Sequence, residues 1–213
     1  MSLQEFWQQL LQGLLATSGL EFVAVFFGIA SVYFSRLEHI WVYPTGLINT
    51  TLYIYLSFVA GLYAEAGVNL YYTAMSIVGW SMWASKKDGQ TMLHISRSSP
   101  REWLLSLGFF GASWLLLYGV LRLCTTSTVP LADAFASASA YTGMWLMTRK
   151  KLENWLWWML TNMASIPLYF IKGFVFTGFQ YAVFLVLAIL GYIEWRRKLM
   201  LPAASPPPTQ RAA

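Results

Sequence analysis

Long stretches of this sequence contain no charged side chain. Residues 103–121 and 174–193 lack Asp, Glu, Lys, Arg and His, and only 11% of the 213 residues are charged while 57% are hydrophobic. Water-soluble domains carry about a quarter charged residues, so this composition argues against one. Each charge-free stretch is long enough to cross a hydrocarbon core of about 30 Å as a helix. The chain is therefore predicted to be an integral membrane protein.

Cysteine and histidine are also scarce. Cys124 is the single cysteine, which excludes an intramolecular disulfide, and the two histidines, His39 and His94, have no metal-ligand spacing. No nucleophile motif accompanies them, so we expect no metal, no cofactor and no enzymatic activity. The formal charge of +5 comes from short basic clusters between apolar runs, which is typical of contact with lipid headgroups. Nucleic-acid binding is not expected.

Apolar runs separated by charged or turn-forming residues predict seven transmembrane helices. These spans are 20–34, 41–60, 67–84, 103–121, 131–147, 153–171 and 174–195. Before them, residues 1–19 place leucines and aromatics on one helical face and glutamines off it, which predicts an amphipathic helix lying in the membrane interface. After them, residues 196–213 are basic at first and then Pro- and Ala-rich, which predicts a disordered tail.

Lysine and arginine are distributed unevenly over the two sides that seven crossings define. Twelve lie on the side of the first, third and fifth loops and the C-terminus, whereas Arg122 and Lys172 lie on the other. The positive-inside rule then places the N-terminus outside and the C-terminus in the cytoplasm, with 85–102 as a cytoplasmic loop. An even number of crossings would place the basic residues on both sides of the membrane and remove this separation.

A weak internal repeat relates the two halves of the chain. Segments of similar sequence recur at offsets of 112 to 115 residues: Leu37-Glu38, Trp41 and Asn49 match Leu152-Glu153, Trp155 and Asn162, and Gly79-Trp80 with Trp83 matches Gly191-Tyr192 with Trp195. This pattern predicts two parallel three-helix repeats, 20–84 and 131–195, joined by a linker helix at 103–121. Transporters of that design hold substrate near the bilayer midplane between the halves. Chance similarity between aromatic-rich spans is the alternative.

One face of the sixth span carries aromatic and polar side chains. At 100° per residue, Trp155, Trp158 and Asn162 fall within about 60° of arc, and Ser165 and Tyr169 extend the stripe. Asn162 lies roughly 14 Å into the bilayer, where a carboxamide needs a partner. We predict a slot in which the indoles stack on a flat heteroaromatic solute and the amide binds it. The alternative is an aromatic belt, with Asn162 joining two helices.

Two other spans present polar faces that would either line the same site or allow close helix packing. On the second span these are Thr45, Asn49 and Tyr53, and on the third Asn69, Thr73, Ser76, Trp80 and Trp83. No Asp, Glu, Lys, Arg or His falls near the middle of any span. Ion-coupled carriers usually keep such a group at depth, so uncoupled, facilitated movement is predicted.

Four segments together resemble the PnuC family of nicotinamide riboside transporters. They are Tyr43-Pro44-x-Gly46-Leu47-Ile48, Val78-Gly79-Trp80-Ser81-Met82-Trp83, Trp155-x-x-Trp158-x-x-x-Asn162 and Ile166-Pro167-Leu168-Tyr169. The resemblance runs from about Glu21 to Arg197. Ser81 departs from it, because an aromatic residue is expected there.

The resemblance implies a seven-helix fold similar to SWEET sugar transporters, with two three-helix bundles around a linking helix. It implies facilitated uptake of nicotinamide riboside for NAD synthesis, with the product trapped by a cytoplasmic riboside kinase. It also implies that Trp155, Trp158 and Asn162 contact the nicotinamide end, that the protein is a homotrimer and that it lies in a bacterial inner membrane.

Other functions remain open from the residues alone. Thiamine or another nucleoside-like vitamin is the next candidate solute. A seven-helix receptor or light sensor is a further alternative, although 174–195 contains no lysine that could form a Schiff base with retinal. A structural or assembly protein, which would bind no small solute, is the last.

Overall fold

The computed structural model describes residues 3–16, 18–59, 63–87, 90–125, 127–171 and 175–201. Almost all of them are helical. The helices are α1 (Leu3–Ala16), α2 (Gly19–Arg36), α3 (Val42–Val59), α4 (Tyr63–Ala84), α5 (Pro100–Cys124), α6 (Pro130–Thr148), α7 (Asn154–Ile171) and α8 (Val175–Met200). A short antiparallel ladder of β1 (Lys86–Lys87) and β2 (Gln90–Thr91) lies between α4 and α5.

Each of the seven predicted spans coincides with one helix, from α2 to α8, so the all-helical prediction is confirmed. The largest differences are at the starts of α4 and α5 and at the end of α8, and helix α4 begins at Tyr63, ahead of 67. Helix α5 begins at Pro100, ahead of 103, because Ser99 and Glu102 form a reciprocal capping box and proline fits the first helical turn. Helix α8 continues through the basic cluster to Met200. The loop predicted at 85–102 is therefore shorter and contains the ladder, while 202–213 lie outside the described residues.

By length and composition, three helices of the described chain can cross a membrane: Gly19–Arg36, Pro100–Cys124 and Thr177–Met200. Helices α3, α4, α6 and α7 each bury polar side chains inside the protein. Thr50, Asn69, Thr142 and Asn162, one from each of these helices, are all at most 8% exposed. Seven crossings therefore remain a prediction.

Helix α1 contacts α8 and keeps part of its apolar side uncovered by protein. Trp7, Leu11 and Leu15 are all more than half exposed. The predicted helix within 1–19 is thus confirmed, and its place in the membrane interface remains a prediction.

Six helices form a closed ring in which the order of packing is the same in both halves. Helix α2 packs on α3, α3 on α4, α4 on α6, α6 on α7, α7 on α8 and α8 back on α2. Helix α5 packs on α6. Contacts between the two halves are therefore made by α4 with α6 and by α8 with α2.

Four aromatic rings form an aromatic row across one end of the ring of helices. The row consists of Tyr43, Trp83, Trp195 and Trp155, all at most 4% exposed. Tyr43 meets Trp83 edge-on at 5.2 Å and 87°, and Trp155 meets Trp195 edge-on at 5.6 Å and 89°. Trp83 contacts Trp195 at 6.2 Å. We call this end the basic end, because the turns at 37–41 and 149–153, residues 85–87 and 90–99 and residues 196–201 lie there and together carry nine of the 14 lysines and arginines.

The contacts at the basic end correct the register of the internal repeat. Tyr43 rests on Gly79, and Trp155 rests on Gly191, where an added Cβ would lie 2.5 Å from the ring. Adding 112 to the residue numbers of the first contact gives those of the second. The same number separates the two members of each of the hydrogen-bonded pairs Ser35–Met147 and Glu38–Lys150. Tyr43, and not Trp41, therefore occupies the place of Trp155. Trp41 lies ahead of α3 and is 55% exposed.

The same offset changes the partner of Asn49. The Asn49 Nδ2 atom donates to Ala24 O at 2.7 Å, and the Thr161 hydroxyl donates to Ala136 O at 3.5 Å, in the corresponding place. Asn49 thus corresponds to Thr161 and not to Asn162, with which the internal repeat in the sequence pairs it. Its amide joins α3 to α2, as the packing alternative predicted for such polar faces.

Candidate solute-binding site

The predicted stripe on α7 divides into two groups with different surroundings. Trp155 is 1% exposed and packs into the aromatic row against Trp195 and Gly191. Trp158, one turn further on, is half-buried and faces α4 and α6. Gly143 of α6 permits this approach, because a Cβ there would lie 3.3 Å from Trp158 Cδ2 and Cε2. Trp158 therefore faces the interior of the ring of helices, whereas Trp155 lies in the aromatic row.

Tyrosines that the sequence analysis did not single out lie next to Trp158. The ring of Tyr72 on α4 is 6.3 Å from that of Trp158, at 46°. Tyr141 on α6 meets Tyr72 edge-on at 6.1 Å and stacks on Tyr71 at 4.0 Å. The Tyr71 hydroxyl also donates to Tyr141 O at 3.0 Å. The signal in the sequence was a tyrosine pair directly before Thr73.

The carboxamide of Asn162 differs from the other two predicted site amides. Asn49 donates to Ala24 O, and Asn69 Nδ2 donates to Glu65 O at 3.0 Å. Asn162 is 4% exposed, and within the described part of the chain no hydrogen bond joins its side chain to another helix, although its amide atoms are not among the fully buried polar atoms without a partner. A buried amide that is not used for packing is available to a ligand.

The outer half of α7 continues the polar and aromatic surface. Ser165 is 3% exposed, and Tyr169 stacks on Tyr181 of α8 at 5.1 Å and 16°. The Tyr181 hydroxyl interacts with both Ser165 and Tyr169. Gln180 interacts with Tyr53 in the same region. The Ser165 and Tyr169 positions of the predicted stripe are thus brought together with residues of α3 and α8.

The predicted α4 stripe also divides. Thr73 Oγ1 lies 2.8 Å from Thr50 Oγ1 and 2.9 Å from Asn69 O, and Ser76 is 3% exposed. Trp80 is 39% exposed on the outer surface. Trp83 belongs to the aromatic row, where its Nε1 donates to Thr148 O at 3.2 Å. Thr73 and Ser76 therefore lie against α3, Asn69 bonds within its own helix, and the two tryptophans lie elsewhere on α4.

Two surface grooves contain none of the predicted site residues. One, of about 550 Å³, is lined by residues of α5 and α6 together with Ala164, and the other, of about 520 Å³, lies on α3. Among the described residues, no three His, Cys, Asp or Glu side chains are grouped as metal ligands. The interior surface around Trp158 and Asn162 is therefore the candidate site.

A closed ring of helices, three of them long and apolar enough to cross a membrane among the described residues, is the architecture of a multi-pass helical membrane protein. Comparison with known proteins agrees. The chain belongs to the family described as nicotinamide mononucleotide transporter, whose model matches residues 18–197. The resemblance to PnuC proteins is thereby confirmed.

Several relatives cover most of this chain. The nicotinamide riboside transporter PnuC of Escherichia coli is 25% identical over 203 residues, covering 84% of this chain and 85% of the relative. PnuC of Neisseria mucosa is 29% identical over 199 residues, covering 84% and 73%. The riboflavin/roseoflavin transporter RibM of Streptomyces davaonensis is 22% identical over 173 residues, covering 79% and 80%.

The fold is shared with a solved structure. A crystal structure of the vitamin B3 transporter PnuC superimposes with a TM-score of 0.68 at 24% identity, covering 92% of this chain and 88% of that one. This similarity shows that the helices are arranged as in that protein.

Proposed function

We propose that this protein carries nicotinamide riboside across a bacterial inner membrane by facilitated diffusion. The observation that carries the proposal is the pairing of a half-buried indole, Trp158, with a buried and available carboxamide, Asn162, in a member of this family. The PnuC relatives from two organisms are named for this solute.

The solute's chemistry fits the two aromatic rings that face each other in the interior. Its nicotinamide group is a flat pyridinium cation. The Trp158 and Tyr72 centroids are 6.3 Å apart, whereas a ring stacked between them needs about 7 Å, two carbon contact distances of roughly 3.5 Å. The two rings are also inclined at 46°, so a movement of α4 or α7 that admits the solute must turn them towards parallel as well as separate them. Each well-placed, desolvated cation–π contact is worth roughly 1 to 2 kcal/mol.

Polar groups around the rings match the rest of the solute. The Asn162 amide can both donate to and accept from the carboxamide of nicotinamide. The Ser165 hydroxyl, one turn beyond Asn162 on α7, offers a group for the ribose hydroxyls. The Glu65 carboxylate interacts electrostatically with Tyr72 and Tyr181, so a negative charge lies near the end of the site away from the basic end, which favours a cation.

The proposed architecture is two parallel three-helix repeats, 20–84 and 131–195, joined by the helix at 103–121 in a SWEET-like arrangement. The matched order of packing and the single 112-residue offset support it. The interior site then lies between the halves, and small rotations of one half against the other would expose it to either side. The excess of basic residues at the basic end supports a cytoplasmic position for that end.

Movement is proposed to be uncoupled and the solute to be trapped by a cytoplasmic riboside kinase. Helices α3 and α7 contain no Asp, Glu, Lys, Arg or His, so neither offers a proton carrier at depth. Because α3 and α7 also contain no lysine or arginine that could bind a phosphate group, a phosphorylated solute is disfavoured. Assembly as a homotrimer is proposed from the family resemblance.

Uptake of labelled nicotinamide riboside into proteoliposomes tests the proposal. We expect uptake that a protonophore does not change and that excess unlabelled riboside abolishes, while its phosphorylated form and thiamine leave it intact. Riboflavin is the second candidate, because RibM matches most of this chain. Stronger competition by riboflavin or thiamine than by the riboside would change the substrate, and loss of uptake with the protonophore would contradict the uncoupled mechanism.

A further inference from the structure

An ion cluster at the basic end joins the two halves of the ring. Glu38, in the turn between α2 and α3, accepts hydrogen bonds from Lys150 at 2.8 Å and from Lys198 at 3.3 Å. Lys150 belongs to the turn between α6 and α7, and Lys198 to the end of α8. The Lys150 and Glu38 side chains are only 6% and 23% exposed, so water screens this pair less than a surface pair.

The aromatic row lies next to this cluster and is held by bonds that cross between the halves in both directions. Lys150 Nζ is 4.6 Å from the centre of the Trp83 ring. Trp83 Nε1 donates to Thr148 O at the end of α6, and Trp195 Nε1 donates to Ser35 O at 3.0 Å at the end of α2. Separating the halves at this end would break both indole bonds together with the ion pair.

Two members of the row leave polar atoms unpaired. Tyr43 Oη and Trp155 Nε1 are buried and have no hydrogen-bond partner among the residues that the structure describes. They occupy corresponding places in the two halves. A buried polar atom without a partner raises the free energy of the state that contains it. The closed row is therefore penalised relative to an arrangement in which water reaches these atoms.

The turns that carry the ion pair are themselves unusual. Glu38 and Lys150 have φ values of 62° and 49°, and no other non-glycine residue of the described chain has a positive φ. Such conformations cost free energy in residues with a side chain and occur at switch regions. Both members of one ion pair are thus held in a strained conformation at corresponding positions.

We propose that the aromatic row and the Glu38–Lys150–Lys198 cluster form the gate at the basic end, and that separation of Glu38 from Lys150 releases the solute there. The inference rests on the proposed function and assigns residues to it. Asn162 lies seven residues beyond Trp155 on α7, so roughly 10 Å deeper than the row. A solute held at Asn162 must pass the row to leave at this end.

An accessibility experiment tests the gate without any solute. In the full chain with Cys124→Ser, Ser165→Cys places one thiol in the interior, and a membrane-impermeant thiol reagent is confined to the side that the basic end faces. Glu38→Gln removes the charge but keeps the size of the side chain. We expect it to speed labelling roughly two- to fivefold, the population shift that the loss of a modest ion pair produces.

The matched control is Glu102→Gln, which breaks a second ion pair at the same end. Glu102 pairs with Lys151 at 2.8 Å, but this contact joins α5 to the second half and does not cross between the halves. Glutamine also preserves the capping box of α5. We expect an unchanged labelling rate. Equal rates for Glu38→Gln and its parent, or equal acceleration by Glu102→Gln, would overturn the gate.

A cross-link separates the gate from the solute's identity. Ser35 Oγ and Met147 Sδ are 3.3 Å apart across the halves, so in the Cys124→Ser background Ser35→Cys and Met147→Cys can be joined by a short bis-methanethiosulfonate, which forms a mixed disulfide with each thiol and releases two sulfinate groups. We expect the linked protein to bind nicotinamide riboside but to lose at least about tenfold in uptake, with recovery on reduction. Unchanged uptake, or loss of binding as well, would overturn the gate. No riboside uptake even when reduced, alongside faster labelling of Glu38→Gln, would instead contradict the proposed solute.

Discussion

The aromatic row at the basic end and the interior site use the same residue types in opposite ways. In the row, each ring is at most 4% exposed, packs on a glycine or on another ring, and both central indoles donate hydrogen bonds. In the interior, Trp158 is half-buried, and the amide of Asn162 is not used for packing within the described structure. Trp155 and Trp158, one helical turn apart on α7, therefore have different surroundings.

This contrast teaches that burial alone does not mark a binding residue in a helical membrane protein. A tryptophan packed on all sides stabilises the fold, because a solute could reach it only by displacing neighbours. A half-buried ring beside an amide with hydrogen-bonding capacity to spare can accept a guest without breaking existing contacts. Stability should therefore be sensitive at the row, and affinity should be sensitive at the interior.

Filling the space beneath Trp155 should give the largest loss of stability. In Gly191→Ala the new Cβ would lie 2.5 Å from the ring, which must shift within a packed cluster. We expect a loss of about 1 to 3 kcal/mol, measured by thermal unfolding in detergent. The control is Gly108→Ala on α5, where an added Cβ meets nothing within 4 Å. An equal loss in both variants would show that the row is not tightly packed.

Removing the Asn49 amide should have an intermediate effect on stability. Asn49→Ala loses the 2.7 Å hydrogen bond to Ala24 O and is expected to cost about 1 kcal/mol. Asn162→Ala, which loses no hydrogen bond to the described residues, should cost less than about 0.5 kcal/mol. The same unfolding assay compares the two. A larger loss for Asn162→Ala would mean that its amide joins helices and is not free for a solute.

Breaking the Glu102–Lys151 pair should have the smallest effect. Its side chains are 29% and 15% exposed, and partly exposed pairs contribute at most about 0.5 kcal/mol. Glu102→Gln should therefore unfold within that margin of the parent and transport at the same rate. A clear loss of uptake would extend the functional region of the basic end to α5.

Much of the fold could be predicted from the sequence because lipid demands long apolar helices. The seven spans followed from charge-free runs, and the ends of α5 and α8 differed because local capping and a helical basic cluster override hydropathy. The repeat was detected, but its register was misread near Trp41. The sequence shows which residues are aromatic, whereas the glycine on which each ring packs is decided by tertiary contacts.

The candidate site was predictable only in part. Helical spacing placed Trp158, Asn162 and Ser165 on one face of α7, but it placed Trp155 there too and Trp83 on the stripe of α4, because periodicity defines a face and not what that face meets. Tyr72 was missed since its importance depends on α4 crossing α7, a contact between helices far apart in sequence. The roles of all these residues in binding remain predictions.

The central claim is that the Asn162 amide binds the carboxamide of nicotinamide riboside. Calorimetric titration of the parent and Asn162→Ala, each with the riboside and with a pyridinium riboside lacking the carboxamide, forms a double-mutant cycle. We predict that the mutation weakens the riboside about tenfold or more and hardly affects the truncated ligand, a coupling of about 1 to 2 kcal/mol. Equal weakening of both ligands would contradict the claim.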